Sequence, residues 1–419
     1  MRISMGTRML YLFMFVNFMI FMIVFSMPVY LYSSIMHEND YSHLDVLSLL
    51  FILACDAALL FGYHAYKPVV FSHGVTYKPR AANNLYLFFL LVPILILVLV
   101  SFYILLEHFP DLLSSLGSIE AQQMRANVST IKNSMSGAPV LLTGIIWWAI
   151  YKLRYTETTF SRKLLFSRAI IFSSVIIVTI YFVVKLSRME LVPLYFGIFM
   201  VYNFSANKMT SNRSNIFLKN ILLIGIFGVG IFVLLSWVRG YNLDTVIKQF
   251  FAYLPASYNR LSALLNGSLH FAGERSGIYV SSFQGQIPII KSFVNIYSFL
   301  GQPTLDYAWR HDFSDVANAG LNAHYTFPTI YGSIFTFCGY LSPIYFFLFG
   351  AVIKQFYSSF ARGKIFGIIF YPLSLFCIMF SFGWNFFLSY EFIVMIIAVF
   401  YIFIFEKLIW PILARRSYG

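Results

Sequence analysis

Apolar runs of about 18 residues or more, almost free of charge, recur along the whole chain, and such runs are the mark of helices that cross a lipid bilayer. The composition agrees. Of 419 residues, 59% are hydrophobic and only 11% are charged, where a soluble domain carries about a quarter charged residues. The expected fold class is an all-α polytopic membrane protein. The formal charge of +13 would suit a nucleic-acid partner if it were gathered in one patch, so its distribution has to be read first. Cys55, Cys338 and Cys377 all lie in apolar segments, with neither metal-type spacing nor a disulfide framework, and are expected to pack. Residues 9–32 follow Arg2 and Arg8 as the core of a signal peptide would. The run is too long and lacks a small-x-small cleavage site, so it reads as a retained first helix.

The hydropathy pattern predicts ten spans, at about 9–32, 46–65, 84–106, 139–153, 169–187, 191–206, 220–238, 329–353, 365–382 and 387–408. Seven belong to an N-terminal membrane domain, 1–238, and three to a C-terminal one, 329–419. Between them, 239–328 reads as one large extracytoplasmic loop. Lysine and arginine collect in cytoplasmic loops because positive charge resists translocation. With the N-terminus inside, 19 of the 29 Lys and Arg fall inside and 10 outside, whereas 12 of the 16 acids fall outside. The basic charge is therefore the sidedness of a membrane protein rather than a nucleic-acid footprint, and both termini are expected in the cytoplasm. Residues 278–300 are apolar enough to suggest an eleventh span, but Lys291 at the centre costs about 2.5–3.5 kcal/mol, and a crossing there would put the later basic loops outside. This piece reads as amphipathic or re-entrant, and 243–266 as an interfacial helix.

Arginines on the outer side run against the positive-inside bias and so call for a reason. Arg188, Arg239, Arg260, Arg275 and Arg310 fall there, and the guanidinium fork matches phosphate oxygens two at a time. An anchoring role at the interface is the plain alternative for Arg239. The partner these arginines suggest is a lipid-linked phosphate or diphosphate near the headgroups. For proton transfer the outer candidates are His324, at the start of the eighth span, His311 beside Asp312, and Glu274 beside Arg275. Asp56 lies mid-span, where a carboxylate is costly and usually functional, and Glu391 stands near the outer end of the last span. Glu38-Asn39-Asp40 in the first outer link is similar to the acidic metal-binding pairs of lipid-phosphate-sugar glycosyltransferases, although that link is barely a dozen residues long. No zinc-binding helix motif, phosphate loop, hydrolase elbow or repeat of the two halves occurs.

Arg239-Gly240 directly after a span, and the run Asn322-Ala323-His324-Tyr325-Thr326 through Gly339 to Pro343, resemble the O-antigen, or oligosaccharide repeat-unit, polymerases of bacterial surface-polysaccharide pathways. The span count, the inward termini and the single dominant outer loop fit the same family. Asn322, Thr326 and Gly339 match its pattern. The family's aspartate is missing before Gly339, where Phe337-Cys338 stand, and Ser342 replaces a later glycine. Arg310 and Gly320 only loosely echo its spaced Arg…Gly motifs. The resemblance implies a GT-C-like enzyme of the bacterial inner membrane. It would transfer a growing glycan from undecaprenyl diphosphate to the non-reducing end of a second lipid-linked repeat unit on the periplasmic face, without metal, nucleotide or other cofactor. Its partners would be lipid-linked oligosaccharides, membrane lipids, a chain-length regulator and a flippase, and no nucleic acid. Arg239, Arg188, Arg275 and Arg310 would contact the diphosphate, and His324, His311 or Glu274 the acceptor hydroxyl. An O-antigen ligase, a metal-dependent lipid-phosphate-sugar glycosyltransferase and a flippase or transporter of the same lipid-linked unit are the alternatives.

Overall fold

The computed structural model describes residues 5–41, 45–69, 84–115, 137–156, 165–185, 188–204, 228–271, 305–383, 385, 387 and 390–418, and every element among them is helical. In chain order the main helices are α1 (Met5–Phe25), α2 (Val29–Met36), α3 (Val46–Ala65), α4 (Asn84–His108), α5 (Ala138–Thr156), α6 (Leu165–Val184), α7 (Arg188–Phe204) and α8 (Gly228–Val238). They continue with α9 (Leu243–Leu265), α10 (Leu305–Asn318), α11 (Thr329–Cys338), α12 (Ser342–Ala361), α13 (Ile365–Met379), α14 (Tyr390–Ile404) and α15 (Trp410–Tyr418). Six stretches are long and apolar enough to cross a membrane: Thr7–Phe25, Val46–Ala65, Asn84–His108, Leu165–Val184, Gly339–Ala361 and Glu391–Ala414. The protein is thus a multi-pass membrane protein. The helices α8 and α13 are apolar but shorter. The fourth and sixth predicted spans form α5 and α7, helices of 19 and 17 residues that are not among those six.

Two predicted spans are broken, each for a local reason. Pro28 lacks an N–H and its ring cannot follow a helical turn. The first helix therefore stops at Phe25, and α2 starts anew with Pro28 as its N-cap at φ −59°, ψ 138°. At Gly339 the backbone takes φ 57°, ψ −140°, a conformation that glycine adopts without a Cβ clash. This divides the predicted 329–353 helix into α11 and α12, joined by the 3-10 turn Gly339–Leu341. The third helix begins where its sequence signals it, because the Asp45 carboxylate caps it by accepting from the Leu47 N–H at 3.0 Å.

The helices sort into two compact units, each drawn from separate stretches of chain. The first gathers residues 1–68, 247–355 and 374–392. In it α3 and α12 approach backbone to backbone. A Cβ added at Gly62 would stand 1.9 Å from the Phe347 carbonyl oxygen, and one at Gly350 2.0 Å from that of Leu59. Small residues at such crossings let membrane helices gain dispersion contacts where no hydrophobic effect drives association. The ninth helix joins them through Ser48 Oγ and Ser262 Oγ, 2.7 Å apart, and meets α1 where the Phe21 and Tyr258 rings lie 5.2 Å apart. In the segment 243–266, read from the sequence as interfacial, Leu243, Ile247 and Phe251 of the first part are exposed. Residues 255–265 are buried on every side, because Asn259, Arg260 and Ser262 find polar partners inside the unit.

The second unit gathers 69–246, 356–373 and 393–419, and α4, α5, α6 and α7 pack together in it. Trp147 fills the space left by Gly197, where a Cβ would stand 2.0 Å from the indole, and its N–H donates to the Leu194 carbonyl at 3.1 Å. Lys152 and Glu406 form a buried ion pair at 2.8 Å. The Trp148 N–H donates to the same Glu406 oxygen at 3.2 Å, the Tyr86 hydroxyl does so as well, and the ammonium lies over both rings at 5.4 and 5.1 Å. Glu406 sits on the π-helical turn Phe405–Ile409.

Candidate functional site

Among the described residues, a dense polar arrangement lies in the first unit, where three short pieces of chain meet: the link after α2, the middle of α9, and the turn before α11. The link is aimed by His37, whose backbone is left-handed at φ 50° and ends α2. The next residue, Glu38, turns inward. Its Oε2 accepts from Arg260 Nη2 at 2.8 Å and from the Asn322 N–H at 2.6 Å. Its Oε1 accepts from Arg260 Nη1 at 3.0 Å, from Asn259 Nδ2 at 3.1 Å and from the Tyr32 hydroxyl. Burial first, and then the neighbouring carboxylate, hold the Tyr32 phenol well above its ordinary pKa, so it stays a donor.

Arg260 is occupied just as fully. Besides the forked pair to Glu38, its Nη1 donates to the Ala256 carbonyl at 2.8 Å, its Nη2 to the Asn322 carbonyl at 2.7 Å and its Nε to the Tyr325 carbonyl. Those are all five N–H groups a guanidinium owns. The side chains of Arg260 and Glu38 are 0% and 1% exposed. Two apolar clusters flank them, one of Tyr32, Met36, Ala252 and Ala256, the other centred on Ala263, Leu269, Val316 and Leu321. Asn259 completes the network: its amide donates to the Asn39 carbonyl at 2.8 Å and its oxygen accepts from the Tyr41 N–H at 2.5 Å. A buried charge pair persists when its geometry is good and every remaining lone pair and proton is used, and both conditions hold here.

This network carries a turn. Tyr325 N–H donates to the Asn322 carbonyl at 3.1 Å, closing a β-turn with Ala323 and His324 at its centre. The Asn322 side chain accepts from the His324 N–H at 3.0 Å, the usual service of an asparagine opening a turn. The Tyr325 ring is held edge-on by Tyr253 at 5.1 Å. His324 itself is exposed. An exposed imidazole therefore stands at the tip of a turn whose base is fixed inside the protein. Just beyond, Thr329 opens α11 with a left-handed backbone, φ 66°, rare for a β-branched residue and a mark of a strained site.

The other predicted residues divide between the units. Arg239 ends α8 in the second unit, nearly buried at 3% exposure, with Gly240 turning the chain at φ 78°. Arg188 opens α7 in the same unit, while Arg310 and His311 lie on α10; the side chains of these three are outside the described set. Glu274 and Arg275, with Lys291 and the whole 278–300 segment, lie outside the described residues. Asp56 accepts a hydrogen bond from the Tyr331 hydroxyl at 2.8 Å, which joins α3 to α11. The acidic link is not arranged as a metal site would need. Both oxygens of Glu38 are engaged by Arg260 and its neighbours, and among the described residues no three His, Cys, Asp or Glu side chains gather as metal ligands.

The sequence reading placed Arg260 among the outer arginines and Glu38 in an acidic link, but did not pair them. A signal was present: an arginine set between Asn259 and Leu261 on a helix with Ala256, Ala263 and Leu264 nearby needs an internal anion. Asn259 and the turn-forming role of Asn322 were missed too. Comparison with protein-family models, curated proteins and solved structures finds no match to this chain.

Proposed function

We propose that this chain is a membrane glycosyltransferase of the repeat-unit polymerase type, working in the bacterial inner membrane with both termini in the cytoplasm. It would act on polyprenyl-diphosphate-linked glycans at the outer face. The observation that carries the reading is His324, an exposed imidazole on a turn that a buried network holds in place. An imidazole is the side chain best suited to exchange a proton near neutral pH. In the proposed step the acceptor sugar's hydroxyl oxygen attacks the anomeric carbon of the donor glycan. The bond from that carbon to the diphosphate oxygen breaks, the polyprenyl diphosphate leaves with the electron pair, and the hydroxyl proton passes to His324. Arginine forks would offset the charge growing on the diphosphate, and preorganised donors act strongly where water is scarce. Arg310 and Arg275, which belong to the same unit as His324, are the candidates for that role.

The metal-dependent alternative needs Glu38 as a ligand, and that carboxylate already accepts five hydrogen bonds. The test uses the full-length protein in membranes with lipid-linked repeat units. Replacing His324 with Ala is expected to lower the rate of chain growth by about 10²–10⁴-fold, the usual span for a general base. Replacing Arg310 with Lys is expected to leave single-repeat products dominant. Long chains at the wild-type rate from both variants would end this reading, and loss of activity on adding a chelator would transfer support to the metal-dependent one.

A further inference from the structure

We infer that Arg260, Glu38 and Asn322 form a positioning unit for His324, and that Arg260 is therefore not a phosphate-binding arginine although it falls on the predicted outer side. The inference rests on the reading of His324 given above. Arg260 grips the carbonyls of Asn322 and Tyr325, the two corners of the turn that carries His324. Glu38 takes the Asn322 N–H from the opposite side, and the Asn322 side chain then holds the His324 N–H. From Glu38 to the backbone of His324 there are thus two hydrogen bonds and one residue. With all five of its N–H groups engaged, Arg260 could meet a diphosphate only by releasing the turn. Sugar transfer depends on holding the proton acceptor near the attacking oxygen, and a displacement of about 1 Å can cost about 10²-fold in rate.

The neighbouring backbone offers a way to test position apart from chemistry. The Asn39 N–H donates to the Gly320 carbonyl at 3.1 Å, and a Cβ built on Gly320 would lie 3.8 Å from the Asn39 Cβ, within the span of a disulfide. In full-length protein with Cys55, Cys338 and Cys377 changed to Ser, Arg260→Lys keeps the charge but loses the fork. We expect its kcat for chain growth to fall by about 10²-fold with KM within about threefold of the parent. Gly320 has φ 72°, where a side chain is strained, so the variant carrying Asn39→Cys and Gly320→Cys is read against its own reduced form: oxidation should raise kcat at least about tenfold and reduction remove the gain, with the protein monodisperse in both states. Where Arg260→Lys does not accumulate, Asn322→Ala serves, since it removes the side-chain bond to the His324 N–H and a long one to the Met36 carbonyl at 3.5 Å, and leaves the Arg260 and Glu38 bonds to the Asn322 backbone in place. Its kcat should fall and be partly recovered in Asn322→Ser, whose hydroxyl can close the same turn more weakly. An unchanged kcat in whichever of these variants accumulates, or a loss that the cross-link does not reverse, would overturn the positioning role. If His324→Ala itself runs at the wild-type rate, the reading of His324 fails instead, and the two failures are told apart by that one variant.

Discussion

Charge burial separates the residues that hold this protein together from those free to act. The second unit's ion pair, Lys152 with Glu406, shows the cost most plainly, because its side chains are 1% and 4% exposed. Removing one partner of such a pair leaves an uncompensated buried charge, a loss of about 3–5 kcal/mol, whereas replacing both with apolar residues is often near neutral. Lys152→Met alone should therefore lower the thermal midpoint in detergent sharply, while Lys152→Met with Glu406→Leu should regain most of it; equal midpoints for the single and double variants would mean that the pair is not coupled. His324 is the opposite case. It is exposed, so His324→Ala should leave the unfolding free energy within about 0.5 kcal/mol of the parent, as surface changes usually do, and the midpoint in detergent nearly unmoved. This contrast also explains what the sequence could disclose of the site. His324 was legible because a polar residue at the foot of a predicted span stands out. The Arg260–Glu38 pairing was not, since the partners are separated by more than two hundred residues and pairing depends on how α9 enters the unit. Glu38 follows directly on the left-handed His37, a turn that no local pattern announces.

At the scale of helices, glycine decides both where an element breaks and where two elements meet, and the two uses predict different responses. Gly339 takes a positive φ but a Cβ there would find open space, so Gly339→Ala should cost only conformational strain, about 1–3 kcal/mol at φ 57°, ψ −140°. Gly62 and Gly350 face the carbonyls of the opposing helix at 1.9 and 2.0 Å from an added Cβ. There the obstacle is backbone, which cannot rotate away. Gly62→Val or Gly350→Val should force α3 and α12 apart, visible as faster proteolysis and loss of the folded form in membranes, whereas normal accumulation of both would show that the crossing tolerates separation. The sequence disclosed most spans, because apolar runs of sufficient length leave no other solution in lipid. It misjudged the spans at 9–32 and 329–353 because hydropathy registers Pro28 and Gly339 as mild residues, while backbone geometry treats them as breaks. It also read 243–266 as an interfacial helix and Arg260 as an outer arginine suited to phosphate, whereas Asn259, Arg260 and Ser262 face partners within the unit.

For the whole molecule, sidedness follows from the parity of crossings between marked points. The 19-to-10 division of Lys and Arg belongs to a proposed topology with 239–328 outside and the basic turn around Arg362 and Lys364 inside. Among the described residues, one qualifying span, Gly339–Ala361, separates Ser268 from Arg362. The remaining question is the segment 278–300, where a crossing would add a second passage and put both points on one side. The cost of Lys291 in lipid, about 2.5–3.5 kcal/mol, argues against it, as does the reversal it would impose on the last basic loops. Ser268 and Arg362 are both exposed, so each can be replaced by Cys singly in a protein whose three native cysteines are Ser. In intact cells, a membrane-impermeant maleimide should label Ser268→Cys at once and Arg362→Cys only after permeabilisation. Labelling of both before permeabilisation would mean that 278–300 crosses. Labelling of Arg362→Cys alone would invert the whole orientation, and with it the face on which His324 could meet a lipid-linked donor.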